Sequence, residues 1–220
     1  MNIKDSINVV CVLRQGGPVN YDSTWVEKLQ NMVSRNLTLP YKFFCLSDCE
    51  VPCTRVPLDP TSTKIKGWWT KLQLFKPGLF NGPTLYFDLD TVIISNIDDM
   101  IKEIYNEKFI MWYEKDKGIH SSAMMWWNGD MSSLWNQYQE NTPEHWNTLY
   151  LHPPLYGDQG FISEHHSHKL FTDILPNEWF HISSKRDKFL DLSKVKILHF
   201  RKPNNKPSNY HHQLVKDHWK

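Results

Sequence analysis

The stretch Thr84-Leu85-Tyr86-Phe87-Asp88-Leu89-Asp90-Thr91-Val92-Ile93-Ile94 decides how this chain is read. It is apolar, rich in aromatic and β-branched residues, and entered through the turn Asn81-Gly82-Pro83, so it reads as a buried strand. Two carboxylates, Asp88 and Asp90, stand two residues apart at its far end. Side chains at i and i+2 share one face of a strand, so both acids can converge on one ligand. The carboxyl end of a core strand is where open α/β sheets bind ligands. Two acids held there repel and lose solvation unless a cation joins them. The alternative is a turn in which Asp88 and Asp90 cap loop amides.

Upstream, Ile7 to Leu13 reads as a first core strand ending in Arg14-Gln15-Gly16-Gly17-Pro18, a turn whose glycines let a ligand approach the backbone. Tyr21 to Asn36 has helical spacing through Trp25, Leu29, Met32 and Val33, with Asp22 or Ser23 as N-cap. Tyr41 to Leu46 is a second strand, and Thr54 to Leu58 a third that Pro57 limits to an edge. Strand, helix, strand predicts a right-handed βαβ start to a parallel sheet, with the turn after the first strand facing a nucleotide. The Gly-Gly pair lacks the full Rossmann or P-loop spacing. Gly67 to Phe75 forms a short helix with Leu72 and Phe75 toward the sheet; Lys71 either meets a phosphate or is solvated.

Downstream, a helix starts near Asn96 to Ile101, Phe109 to Trp112 and Ser121 to Asn128 read as strands, and Met131 to Glu140 as a helix. Leu155-Tyr156-Gly157-Asp158-Gln159-Gly160 heads an apolar helix: Gly157 frees the backbone, Asp158 faces a ligand or only caps, and Gln159 sits in the first turn facing a cleft. His165, His166 and His168 do not face one another on a helix, which favours solvated imidazoles over a shared metal. Val195 to Phe200 is the last clear strand and delivers His199 near its end. A basic, proline-stiffened loop, Arg201 to Pro207, follows, and the segment from Ser208 reads as a short helix or frayed end.

The 220 residues suit one domain, 1–207, with a tail at 208–220. Lys+Arg 25 against Asp+Glu 24 gives net +1, so no global charge points to nucleic acid or an anionic membrane. The 10 Trp, 9 Tyr and 11 Phe exceed what a core needs, and sugars stack their C–H faces on such rings. No secretory leader and no membrane-length apolar run is read, which predicts a soluble, cytoplasmic protein with at most peripheral membrane contact; the sequon Asn36-Leu37-Thr38 is then idle. Cys11 and Cys45 fall in core strands as reduced thiols. Zinc is the competing reading of Cys45, Cys49 and Cys53, which lack the paired spacing of structural zinc sites.

The ordered set resembles GT-A-fold glycosyltransferases related to glycosyltransferase family 8, including small bacterial and viral members. It comprises the strand ending in Arg14-Gln15-Gly16-Gly17, Trp68-Trp69-Thr70-Lys71, Tyr86-Phe87-Asp88-Leu89-Asp90-Thr91-Val92, Gly157-Asp158-Gln159, and His199-Phe200 with a following Lys-Pro. The resemblance spans about Ile7 to Pro207 and implies an α/β, single GT-A-like (Rossmann-like) domain with a mixed, mainly parallel sheet flanked by helices. It implies transfer of a sugar from a nucleotide-diphosphate sugar, UDP-linked first, to a glycan or other hydroxyl acceptor, with retention at the anomeric carbon. It implies Mn²⁺ or Mg²⁺ held by Asp90 and His199, with Asp88 on metal or ribose, which suits carboxylates plus one imidazole. Val12, Arg14, Gly16, Lys71, Asp88 and Ser122 would contact the donor, Lys202 or Lys206 its phosphate, and Asp158 and Gln159 the reacting sugar. The family loop carries a glycine and Lys-Pro-Trp; here the glycine is missing, Lys206-Pro207 comes one residue late and Ser208 replaces tryptophan. The competing readings are a HAD-type phosphatase and a non-catalytic carbohydrate-binding protein. The phosphatase motif belongs on a first strand, whereas Asp88-Leu89-Asp90 follows a complete βαβ unit.

Overall fold

A computed structural model describes residues 5–17, 19–59, 67–183, 191–200, 205–209 and 213–220. Strand β1 (Ile7–Leu13) pairs in parallel with β2 (Tyr41–Ser47) across helix α1 (Ser23–Asn36). Asp22 caps α1 by accepting from the Thr24 amide. β3 (Thr54–Pro57) pairs in parallel with β2 at the edge, where Pro57 costs no ladder bond. β4 (Thr84–Phe87) joins the other side of β1 in parallel, and β7 (Ile119–Trp127) runs antiparallel between β4 and β6 (Phe109–Glu114). With β10 (Lys169–Leu170) the sheet has seven strands in the order β10-β6-β7-β4-β1-β2-β3. It is the mixed, mainly parallel α/β sheet that the resemblance implies.

The stretch that decides the fold is not one strand. β4 ends at Phe87, residues 88–90 turn, and β5 (Thr91–Ile93) belongs to another sheet. There β5 pairs antiparallel with β12 (Ile197–Phe200), which pairs in parallel with β11 (Phe180–Ser183). Asp88 and Asp90 therefore do not share a strand face; they flank the point where the chain leaves the central sheet. Gly67–Phe75 is a 3₁₀ helix rather than an α-helix.

Both faces of the central sheet are covered, which explains why its strands read as near-continuous apolar runs. Val9, Cys11, Leu13, Leu85, Phe87, Met124 and Trp126 pack on one side, with α1, α2 (Asp98–Ile104), α6 (Phe171–Ile174) and the second sheet. Val10, Tyr86, Met125 and Trp127 pack on the other, with the 3₁₀ helix, α3 (Ser132–Gln139), α4 (Pro143–Leu149) and α5 (Gly157–His165). Cys11 and Cys45 are wholly buried. Asn36 of the sequon is buried, its side-chain nitrogen donating to the carbonyls of Met32 and Ile93. At the C-terminus α7 (Gln213–His218) places Val215 in the core, and Trp219 meets Trp25 at a centroid distance of 4.9 Å.

Candidate active site

The turn 88–90 closes through the Thr91 amide donating to the Asp88 carbonyl at 3.1 Å. The Asp88 amide donates to the Ala123 carbonyl at 2.8 Å, which fastens the turn to β7. Its two carboxylates diverge into two clusters. Asp88 accepts from the Tyr86 hydroxyl at 2.6 Å and pairs with Lys71 at 2.8 Å. Lys71 also donates to Ser122 Oγ at 3.0 Å, and Ser122 donates to Asp158 Oδ2 at 2.5 Å. Lys71 lies 3.5 Å from that same oxygen, so one ammonium serves two carboxylates brought together by β4 and α5. Asp90 accepts from the Tyr21 hydroxyl at 2.9 Å and from the Lys206 ammonium, with His199 Nδ1 3.9 Å from its other oxygen.

The electrostatics follow from burial. Asp158, 4% exposed, is pushed above the ordinary carboxylate range by desolvation, which outweighs the Lys71 charge and the Ser122 bond. Burial pushes Asp90 the same way, but His199, Lys206 and Tyr21 together hold it below the usual value. Desolvation pulls Lys71 down, yet Asp158 and Asp88 beside it win and raise it. Tyr21 and Tyr86 are raised first by burial and then by the carboxylates they donate to, so both stay hydroxyl donors.

Tyr21, Lys71, Tyr86, Asp88 and Asp90 line a cavity of about 220 Å³ at the carboxyl ends of β1 and β4, together with Val12 and Arg14. Gly17 rather than Gly16 lines the wall; Gly16 makes the turn at φ +76°, where a side chain would be strained. Ser122 and Asp158 join through Lys71, and Gln159 is half-buried in the first turn of α5. Gly157 takes φ +61°, a conformation that suits glycine. Lys206 is buried on Asp90; Lys202 lies outside the described residues.

Sequence reasoning misses Tyr21, Tyr86 and Trp68. Tyr86 was within reach, since position i−2 on a strand faces the same side as Asp88. Tyr21 and Trp68 carry no local sign of the cavity that non-local packing gives them. The three histidines are half-buried: His165 stacks on Phe161 at 4.2 Å and its Nδ1 meets the Phe161 carbonyl, while His168 Nε2 meets His120 Nδ1 at 2.6 Å.

Among the described residues no three His, Cys, Asp or Glu side chains form a group that could hold a metal ion. Asp88 faces Lys71 while Asp90 faces Lys206, so the Asp88, Asp90 and His199 donors are not gathered into a ready-made set. The donors at Asp90 nevertheless fit a divalent cation. Among the described residues His199 Nδ1, buried beside Asp90, has no hydrogen-bond partner, and carboxylate plus imidazole suits Mn²⁺ or Mg²⁺. Burying such a nitrogen unpaired has a cost that a ligand would remove.

No family model matches the chain, and no curated protein matches it in sequence. Several solved structures match it in fold. An active-site mutant of LgtC superposes with TM-score 0.61 at 10% identity over 96% of this chain and 94% of that chain. The galactosyltransferase LgtC in complex with donor and acceptor sugar analogues gives 0.57 at 9% over 96% and 94%. The bifunctional glycosyltransferase WbbM gives 0.60 at 12% identity, covering 98% of this chain and 50% of that one. The glycosyltransferase GlyE of Streptococcus pneumoniae TIGR4 gives 0.58 at 10%, covering 97% and 59%. This chain thus spans about half of WbbM and somewhat more of GlyE. Sheet order, the break after β4 and these superpositions agree on one architecture: the chain carries the GT-A glycosyltransferase fold.

Proposed function

We propose that the protein is a glycosyltransferase that moves a sugar from a nucleotide-diphosphate sugar, UDP-linked first, to a hydroxyl acceptor, with a divalent cation and with retention at the anomeric carbon. The observation that carries this reading is the pair of ion clusters, half-buried Asp88–Lys71 and buried Asp90–Lys206, at the carboxyl end of β4 where the chain leaves the sheet. Asp88, Asp90 and Asp158 stand around Lys71 and Lys206, and carboxylates so placed repel a diphosphate unless cations screen them. Asp90 and His199 would hold Mn²⁺ or Mg²⁺, with Asp88 on metal or ribose; the ion would supply Lewis-acid stabilisation of the leaving diphosphate.

The chain's own residues do the rest. Half-buried Lys71 and buried Lys206 are cations within the cluster, placed to meet phosphate oxygens as charge gathers on the leaving group. Tyr21 and Tyr86 keep their protons and hold Asp90 and Asp88 in place. Val12, Arg14 and Gly17 line the wall that would run along the nucleotide, with Ser122 and Asp158 toward the sugar. Asp158, fixed by Ser122 and Lys71, would accept from a sugar hydroxyl and orient the ring, with Gln159 beside it. The solved structure of LgtC with donor and acceptor sugar analogues supports a donor-plus-acceptor reading of this fold. Retention rests on the sequence resemblance.

The test is incubation with UDP- and GDP-sugars in Mn²⁺, following nucleoside diphosphate release by chromatography and the anomer formed by proton NMR. Slow donor hydrolysis that EDTA suppresses is expected. Hydrolysis of simple phosphate monoesters with no release from any nucleotide-sugar would overturn the reading in favour of a phosphatase.

A further inference from the structure

Among the described residues the large apolar side chains that stand exposed all fall in one short segment: Leu149 (58% exposed), Leu151 (42%), Leu155 (37%) and Tyr156 (39%). The segment runs from the end of α4 through the hairpin β8 (Leu151–His152) and β9 (Leu155–Tyr156). Leu151 stands opposite Tyr156, and His152 opposite Leu155. No Asp, Glu, Lys or Arg occurs between His145 and Gly157. Exposed apolar side chains gathered in one place mark an interaction site.

The hairpin is fastened to the active site. The Gly157 amide donates to the Tyr150 carbonyl at 3.0 Å, and Tyr150 is buried against Phe161 and Trp69. Gly160 lets the Leu155 backbone lie on α5, since a Cβ there would come within 2.6 Å and 2.8 Å of Leu155 main-chain atoms. The Tyr156 ring meets Trp68 at 5.6 Å, and Trp68 lines the cavity with Lys71 and Asp88. Gly157 then leads directly into Asp158.

We propose that this hairpin is the subsite for the apolar part of the acceptor, so that the acceptor is an amphiphile whose receiving hydroxyl lies beside an uncharged alkyl or aryl group. The inference rests on the transferase reading and adds the acceptor class. Three of the four side chains are leucines, which offer no stacking face for a sugar but a good surface for a hydrocarbon. A segment without Lys or Arg does not attract an anionic membrane surface. Four side chains also fall far short of the ~20–30 residues a side that a stable protein interface takes. Continuity with the cavity through Trp68 and Tyr156 leaves the acceptor as the occupant.

The experiment compares matched methyl and octyl glycosides of several neutral sugars as acceptors, below the micelle concentration, with donor hydrolysis in their absence as the baseline. Burial of a methylene is worth roughly 4-fold in affinity. The octyl members are expected to show KM at least ~10-fold lower, and Leu151→Ser/Leu155→Ser to erase the difference while leaving donor hydrolysis unchanged. Both leucines are exposed, so the double variant spares the core. Equal KM for methyl and octyl acceptors in the wild type overturns the inference and leaves the transferase reading standing. So does a wild-type dimer that the double variant loses in sedimentation, or binding to anionic vesicles that it loses. No donor hydrolysis from any nucleotide-sugar overturns the transferase reading and this inference with it.

Discussion

Asp158→Asn is expected to lower sugar transfer by about 10²–10⁴-fold while leaving thermal stability unchanged or higher. The carboxylate is buried, accepts from Ser122 at 2.5 Å and lies 3.5 Å from Lys71, so asparagine keeps its size and its Ser122 contact but loses its charge. Burial raises the folded-state pKa of Asp158. A carboxyl raised on folding contributes stability below its unfolded value and loses it as pH rises through the folded one, and asparagine, which does not ionise, removes that cost. Lys71 keeps its 2.8 Å pair with Asp88 in the variant. Activity and stability should therefore move in different directions, which a structural role for Asp158 would not produce. Transfer assays and a thermal melt of the same preparation separate the two.

Asp90→Asn should do the opposite to stability. Among the described residues it leaves the buried Lys206 ammonium without a carboxylate partner, and breaking a buried pair from one side costs about 3–5 kcal/mol. Asp90→Asn/Lys206→Met removes both charges, and is expected to recover most of that loss because no ammonium is then left buried without its carboxylate. Nucleotide binding should stay lost in the double variant, since neither the carboxylate nor the ammonium returns. Asp90 is held below its ordinary value of 3.8, so its contribution is present above that pH and is lost as pH falls through the folded value. Urea unfolding should thus show the wild-type advantage over Asp90→Asn intact at pH 7 and narrowing only below pH 3.8. An Asp90→Asn protein as stable as wild type at pH 7 would show that the Lys206 pair does not hold the site together.

Much of the fold is legible because both faces of the sheet are covered: Ile7 to Leu13 and Tyr41 to Ser47 must be apolar on alternate sides, and their sequence says so. The break after Phe87 is not legible, since Leu89, Thr91, Val92 and Ile93 continue the apolar pattern of β4. What moves Thr91 to Ile93 into another sheet is pairing with β12, about a hundred residues later. The pairing of Asp90 with Tyr21 and Lys206 is non-local in the same way, as is that of His120 with His168. Lys71 is ambiguous in sequence between a solvated and a ligand-facing role; the structure holds it half-buried between Asp88 and Asp158. Tyr86 is the one missed contact that period-2 reasoning alone would have found.

The measurement closest to the central claim is a calorimetric titration of UDP and GDP into the wild-type protein, in Mn²⁺ and in EDTA. Binding of one nucleotide in Mn²⁺ is expected, with its loss in EDTA and its loss in Asp90→Asn. No binding of either nucleotide in either condition would contradict it for both donor classes.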